Sequence, residues 1–314
     1  MPKAPWQCLL VGLFAVQACA CGSSAGGPDG SDEAIGNFQV TLMQPDLYPP
    51  GYTTVVGKIF DGPTPSALVW EETVADGPCQ LLTPRVPYCE EDCGGDALCV
   101  EDGQCRAYPA VQEVGEVLVQ GIHTSSGATQ FSMQPIAGNY QPAEELPYPP
   151  FAEGDVITFA AAGSAFAPAF TLEAVGIAPF SLASADIVLE DGQDVTLTWT
   201  PPAAAGSSRI ALKLDISHHG GTKGKIVCDA PDSGSLTLPA AMLSQLLDLG
   251  VAGFPTIVVT RKSTGSATVP AGVVTLELLS GVVQAVSIPG LVSCNDDEDC
   301  PVEQTCQDDL SCGP

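Results

Sequence analysis

Asp194-Val-Thr-Leu-Thr-Trp-Thr-Pro-Pro202 and, shortly after it, Arg209-Ile-Ala-Leu-Lys-Leu-Asp-Ile216 decide the fold of this chain. In the first stretch Val195, Leu197 and Trp199 fall on one face and Thr196 and Thr198 on the other, the period-two alternation of a half-buried strand. Pro201-Pro202, which lacks amide donors, ends it. The second stretch alternates again, with Ile210, Leu212, Leu214 and Ile216 directed inward. Thr256 to Thr260 and Val273 to Leu279 add apolar runs, and Asp191-Gly192 and Gly220-Gly221 supply turn chemistry. Residues 184–289 therefore read as a β domain of sandwich type, with Pro239 to Leu249 as a short amphipathic helix within it.

Working outward, residues 37–180 read as a second β domain. Gln39 to Met43, Val114 to Val119 and Asp155 to Ala160 are strand-like, and a cysteine-rich insertion at 79–105 interrupts them. Glu144 to Phe151 is a Pro-rich loop whose Tyr148 and Phe151 pack it down rather than form a binding face. Ile157 to Leu172 is apolar, but Gly163 and Pro168 break it and it is too short to span a bilayer, so it reads as buried strands. Composition agrees: 45% of the residues are hydrophobic, only 15% are charged, and 33 Gly and 28 Pro favour short strands and many turns. The fold class is mainly β: two β-sandwich-like domains with two small disulfide-rich modules.

The cysteines carry the most specific spacing. Cys93-x5-Cys99-x5-Cys105 recurs as Cys300-x5-Cys306-x5-Cys312, each with one cysteine upstream, Cys89 and Cys294. These are two copies of one module, at 89–105 and 294–312, too short to bury a core and therefore dependent on bridges. Four cysteines allow three connectivities, and spacing does not choose among them. Cys79 and Cys228 are left over, and parity suggests that they pair and staple the insertion or its host domain to the second β domain. Asp296-Asp297-Glu298-Asp299 and Asp308-Asp309 offer oxygens, but without a glycine at EF-hand spacing they read as solvated loops, and no metal or cofactor is expected.

The N-terminus reads as an export signal over residues 1–18, with Lys3 ahead of the apolar core Cys8 to Val16. Val16-Gln17-Ala18-Cys19 resembles the lipobox of bacterial lipoproteins. That resemblance implies that Cys19, or Cys21 in the alternative frame Ala18-Cys19-Ala20-Cys21, receives a diacylglyceryl group and becomes the mature N-terminus. Residues 19–36 then form a polar tether, within which Gly22-Ser23-Ser24-Ala25-Gly26 matches a nucleophile elbow in spelling only, since neither strand nor helix flanks it. The residue after either cysteine is not the aspartate that retains lipoproteins at the inner membrane, which points to the outer membrane and cell surface.

Two further resemblances bear on fold. Leu197-Thr-Trp-Thr-Pro-Pro202 followed by an alternating strand looks like the second and third strands of a fibronectin type III or immunoglobulin-like sandwich, which implies that Trp199 fills its core. The likeness fades after Cys228. The segment Cys294 to Cys312 resembles short cysteine-rich repeats of secreted proteins.

Charge and motif content restrict function. The formal charge is −27, and removal of the signal takes Lys3 with it and leaves nine Lys and Arg against 37 Asp and Glu, a surface that repels nucleic acid. The only histidines are His123, His218 and His219; the adjacent pair reads as turn histidines splayed to opposite faces, and H-E-x-x-H, P-loop and G-x-G-x-x-G motifs do not occur. The expected function is that of a non-enzymatic, lipid-anchored surface module that binds a protein or glycan or spaces the envelope, with the membrane as partner through its lipid. Two alternatives stand beside it: a cysteine-rich inhibitor or interaction protein displayed on β domains, and a secreted hydrolase without a recognisable motif.

Overall fold

The computed structural model describes residues 34–45, 49–184 and 186–314. The export signal, Cys19, Cys21 and nearly all of the tether lie outside the described residues. Strands account for 47% of the chain and helix for 4%, a mainly β protein.

In chain order the strands of the first half are β1 (Ala34–Met43), β2 (Tyr52–Phe60), β3 (Val69–Asp76), β4 (Cys79–Arg85), β5 (Ala97–Glu101), β6 (Gln104–Ala107), β7 (Val111–Gln112), β8 (Val117–Gln120), β9 (Gln130–Met133), β10 (Asn139–Tyr140), β11 (Val156–Ala161) and β12 (Phe170–Val175). The second half holds β13 (Val195–Thr198), β14 (Arg209–Asp215), β15 (Lys225–Pro231), β16 (Ser235–Leu238), helix α1 (Ala240–Leu247), β17 (Thr256–Val269), β18 (Gly272–Ala285), β19 (Thr305–Cys306) and β20 (Cys312–Gly313).

One ten-stranded sheet runs β10-β2-β1-β18-β17-β14-β15-β4-β3, with β7 beside β2. Two smaller sheets, β12-β11-β8-β9 and β13-β16, complete two hydrophobic cores against it. In the first core Phe38 contacts Tyr140 and Phe159, at ring-centroid distances of 5.4 and 5.5 Å. Gly57 makes room for Phe38, since a Cβ there would stand 2.3 Å from its ring. The second core gathers Leu197, Trp199, Ile210, Leu212, Leu214, Ile216, Ile257 and Val259 with Met242, Leu243 and Leu246 of α1.

The division expected near 180–184 does not separate two sheets. The β17–β18 hairpin is 14 residues long on each side, so its strands serve both cores. The half of β17 from Thr256 to Lys262 pairs with β14, and β18 from Val273 to Ser280 pairs in parallel with β1. Of the hairpin, Val273 to Leu279 was legible in β18, but β17 only as far as Thr260, because its apolar alternation gives way to Arg261, Ser263, Gly265 and Ala267 on the inward face. Gly265 has a steric reason: a Cβ there would lie 1.8 Å from the Glu173 carbonyl oxygen of β12, which crosses directly over it.

Two other boundaries shift. Ala34 to Gly36 belong to β1 and not to the tether, since Ile35 is buried and Ala34 registers with Val273. Cys79 to Arg85, expected within the cysteine-rich insertion, form β4 of the main sheet, because Leu81 faces the second core and the strand pairs with β15. The packing role expected of the Pro-rich loop is seen: Phe151 is buried and Tyr148 packs against the first core.

Candidate binding surface

The linker from 177 to 181 crosses the main sheet between the two cores, where its backbone has no strand to pair with. Inward polar side chains of the shared hairpin take that role. Val175 N–H donates to Ser263 Oγ at 3.1 Å, Phe180 N–H donates to Ser280 Oγ at 2.9 Å, and Gln44 Nε2 donates to the Phe180 carbonyl. Arg261 lies 5.5 Å from the Phe180 ring centroid and donates through Nη2 to the Thr200 carbonyl at 2.7 Å. Its Nε donates to Asp232 Oδ2 at 2.5 Å, and both side chains are buried, 3% and 0% exposed. Asp232 also accepts from Trp199 Nε1 at 2.6 Å and Ser208 Oγ at 2.7 Å. Burial pushes the Asp232 carboxyl up, but the hydrogen bonds from Arg261, Ser208 and Trp199 and the Arg261 charge outweigh it and hold the group below the usual carboxylate range. This buried network joins the cores and fixes their junction; sequence reading missed it because Asp232-Ser-Gly reads as a turn.

On the opposite face of the same sheet, the outward residues of β15, β14 and β17 form an open platform. Register places Val227, Lys213, Val258 and Val283 in one row, and Lys225, Asp215, Thr256 and Ala285 in the next. Val283 is 59% exposed. Arg209 and Lys262 stand at one end, both paired to Asp229, at 2.5 and 2.8 Å. Asp215 accepts from the Ser217 backbone and hydroxyl at 3.0 and 3.3 Å. Lys225 is buried, its ammonium 3.6 Å from the ring centroid of Trp70 on β3. Burial lowers its pKa to about 8, with the Lys213 charge adding to the effect and Asp215 opposing it.

The cysteine modules share one design. Cys89 bonds Cys99 and Cys93 bonds Cys105; Cys294 bonds Cys306 and Cys300 bonds Cys312. Both link first to third and second to fourth cysteine around a small hairpin, β5–β6 and β19–β20. The only sulfur groupings close enough to suggest a metal among the described residues, Cys89-Cys93-Cys99 and Cys294-Cys300-Cys312, consist of these bridged sulfurs. Carboxylates of the acidic run brace the second module: Asp296 accepts from Glu298 N–H, Asp297 from Cys306 N–H and Asp299 from Asn295 N–H. That module docks on the second sandwich, with Gly253 N–H donating to the Asp309 carbonyl at 2.7 Å and Ser293 Oγ donating to the Gly253 carbonyl at 2.5 Å. Cys79 bonds Cys228 directly across β4 and β15, at a Cα separation of 4.0 Å.

The adjacent histidines do not splay. His219 takes a left-handed backbone, φ +67°, which brings its ring to 3.9 Å from that of His218. Burial, then the His219 charge, lowers the His218 pKa against the pull of Asp215. His123 lies apart in the first half, its N–H donating to the Pro150 carbonyl. A shallow depression of about 450 Å³ is lined by Val111, Glu113, Gly138, Ser164 and Phe166, and one of about 390 Å³ by Glu153, Ser181, Thr200 and Arg261. Neither lining includes a histidine or cysteine.

No protein-family model matches the chain, and no curated protein sequence matches it. Among solved structures, the FN1-FN3 domains of chicken CNTN1 are similar over 74% of this chain and 69% of theirs, at 11% identity and a TM-score of 0.19, a level that carries no argument. The class is defined by the molecule itself: a mainly β protein with five disulfides among the described residues, of the kind that forms and persists in oxidising compartments outside the cytoplasm. No helix of the described residues is long and apolar enough to cross a membrane.

Proposed function

We propose that the chain is a non-enzymatic binding or adhesion protein of the bacterial cell surface, anchored by lipid at Cys19 or, in the second frame, Cys21. The observation that carries this reading is the uncovered sheet face across β15, β14 and β17, held on a frame stapled by disulfides and by the buried Arg261–Asp232 pair. A rigid open face suits recognition of an extended partner better than turnover of a small one, which requires convergent groups in a concave site. Pairing within 187–288 supports the fibronectin type III-like reading: β13 with β16 on one side and β15-β14-β17-β18 on the other, with Trp199 in between.

The test uses the native protein in two assays. Mass spectrometry of the membrane fraction should find a diacylglyceryl-modified N-terminal cysteine. The full chain, applied to an array of immobilised glycans and extracellular proteins, should retain at least one of them and should lose it on Val283→Asp. Turnover of an ester, glycoside or peptide substrate in a generic panel would overturn the non-enzymatic reading.

A further inference from the structure

We propose that the first cysteine module, with the segment leading into it, is a docking head for a basic protein, gripped through Val86, Tyr88 and the hairpin turn at Asp102-Gly103; this contact surface is separate from the open sheet face. The molecule carries its own precedent. The second module is a copy of the first, with the same two bridges around a small hairpin. The turn between its third and fourth cysteines also has the same hand, Leu310 taking a left-handed φ of +59° where Gly103 has +74°. That copy is docked on a protein loop. The residue before its first cysteine, Ser293, donates through Oγ to the Gly253 carbonyl, and the carbonyl of its turn residue Asp309 accepts from Gly253 N–H. Cys294 is completely buried in the docked copy, whereas Cys89 is only partly so. Counted from the cysteines, Ser293 corresponds to Tyr88 and Asp309 to Asp102.

In the first module the corresponding positions face solvent. Tyr88 is 71% exposed and Val86 is 73% exposed, two residues apart with Pro87 buried between them. The backbone beneath them is fixed. Tyr88 N–H donates to Asp102 Oδ1 at 2.9 Å, its carbonyl accepts from Gly103 N–H at 2.9 Å, the next residue is bridged to Cys99, and Arg85 pairs with both Glu71 and Asp102. An exposed tyrosine on a backbone so restrained loses little freedom when a partner closes over it, which is the property of an anchor residue at a protein interface. Charge then selects the partner. Residues 89–105 hold six carboxylates and no Lys or Arg, and of the six only Asp102 is ion-paired. Glu90, Glu91, Asp92, Asp96 and Glu101 are exposed around it. An acidic protein, a second copy with its net charge of −27 included, is repelled, while a basic one is drawn in by the whole field and neutralises these carboxylates on contact.

The experiment applies the native protein to an array of immobilised extracellular proteins, half of them basic and half acidic, with neutral glycans alongside, at physiological salt. At least one basic protein should be retained. Tyr88→Ala should weaken that retention at least tenfold with disulfide pattern and melting temperature unchanged, and Glu90→Lys with Glu91→Lys should slow association several-fold. Val302→Ala, at an exposed apolar position of the second module, should change nothing. Retention of no basic protein, or equal retention by native and Tyr88→Ala forms, would overturn the proposal. Tyr88-dependent retention of acidic proteins or glycans alone would overturn the partner class. A basic protein lost on Val283→Asp but kept by Tyr88→Ala would overturn this site and leave the sheet face as the binding surface.

Discussion

Replacing both Cys79 and Cys228 by alanine removes the one bridge among the described residues that joins distant parts of the chain. Its half-cystines are 149 residues apart, and closing a loop of that length in the unfolded chain accounts for roughly 5 kcal/mol in the chain-entropy treatment. For a chain of this size that corresponds to a fall in melting temperature of roughly 8 °C. The loss should also have a place. The β3–β4 hairpin joins the sheet through β15 over only four registers, Lys225–Leu82 to Cys228–Cys79, so amides of β3 and β4 should exchange faster than those of β14 and β17. Urea unfolding followed by tryptophan fluorescence suits the test, because Trp199 reports the second core and Trp70 the hairpin itself. A loss of stability below about 1 kcal/mol, with β3 and β4 as protected as before, would refute the reasoning and show that strand pairing alone holds the hairpin.

Four further outcomes follow from the junction and the platform. Asp232→Asn leaves Arg261 buried without its counter-charge and should cost about 3–5 kcal/mol by denaturant unfolding, whereas the double change Asp232→Asn with Arg261→Met should recover part of it. Because the folded Asp232 carboxyl lies below its unfolded value, its contribution is complete above the unfolded pKa and fades as pH falls through the folded one; acid titrations of native and Asp232→Asn protein should therefore converge at low pH. Lys225 has the same sense in a higher pH window, although here folding penalises the charged form: its folded pKa of about 8 lies below the usual lysine value of 10.5, so stability should rise as pH climbs between them, and Lys225→Met should flatten that rise in melts run across this range. Gly265→Ala drives a methyl into the Glu173 carbonyl and should destabilise by about 1–3 kcal/mol, read by the same unfolding assay; a neutral result would mean that β12 is free to shift away from β17.

The strands at 194–200 and 209–216 were legible because one face of each is buried and the other is wet, so alternation survives in the sequence. The shared hairpin was legible only at Thr256 to Thr260 and Val273 to Leu279, because inward side chains between and beyond these runs serve the linker as hydrogen-bond partners and look like surface residues. The parallel pairing of β1 with β18 joins residues some 240 positions apart, which no local pattern records. Within the candidate site, the cysteines could be grouped by spacing, but the lysine platform could not. Lys225 looks like an ordinary surface residue until register sets β4 and β3 beside β15 and brings the Trp70 ring against its ammonium.

That parallel pairing has a mechanical consequence. Tension applied at the start of β1 and at the end of β18 pulls two parallel strands lengthwise in opposite directions, so the hydrogen bonds from Ala34–Val273 to Leu42–Ser280 share the load in shear. An antiparallel pair pulled from adjacent ends would open rung by rung, each bond failing alone. A molecule pulled at those two points would thus give way abruptly and at high force, and until then transmit the pull without lengthening.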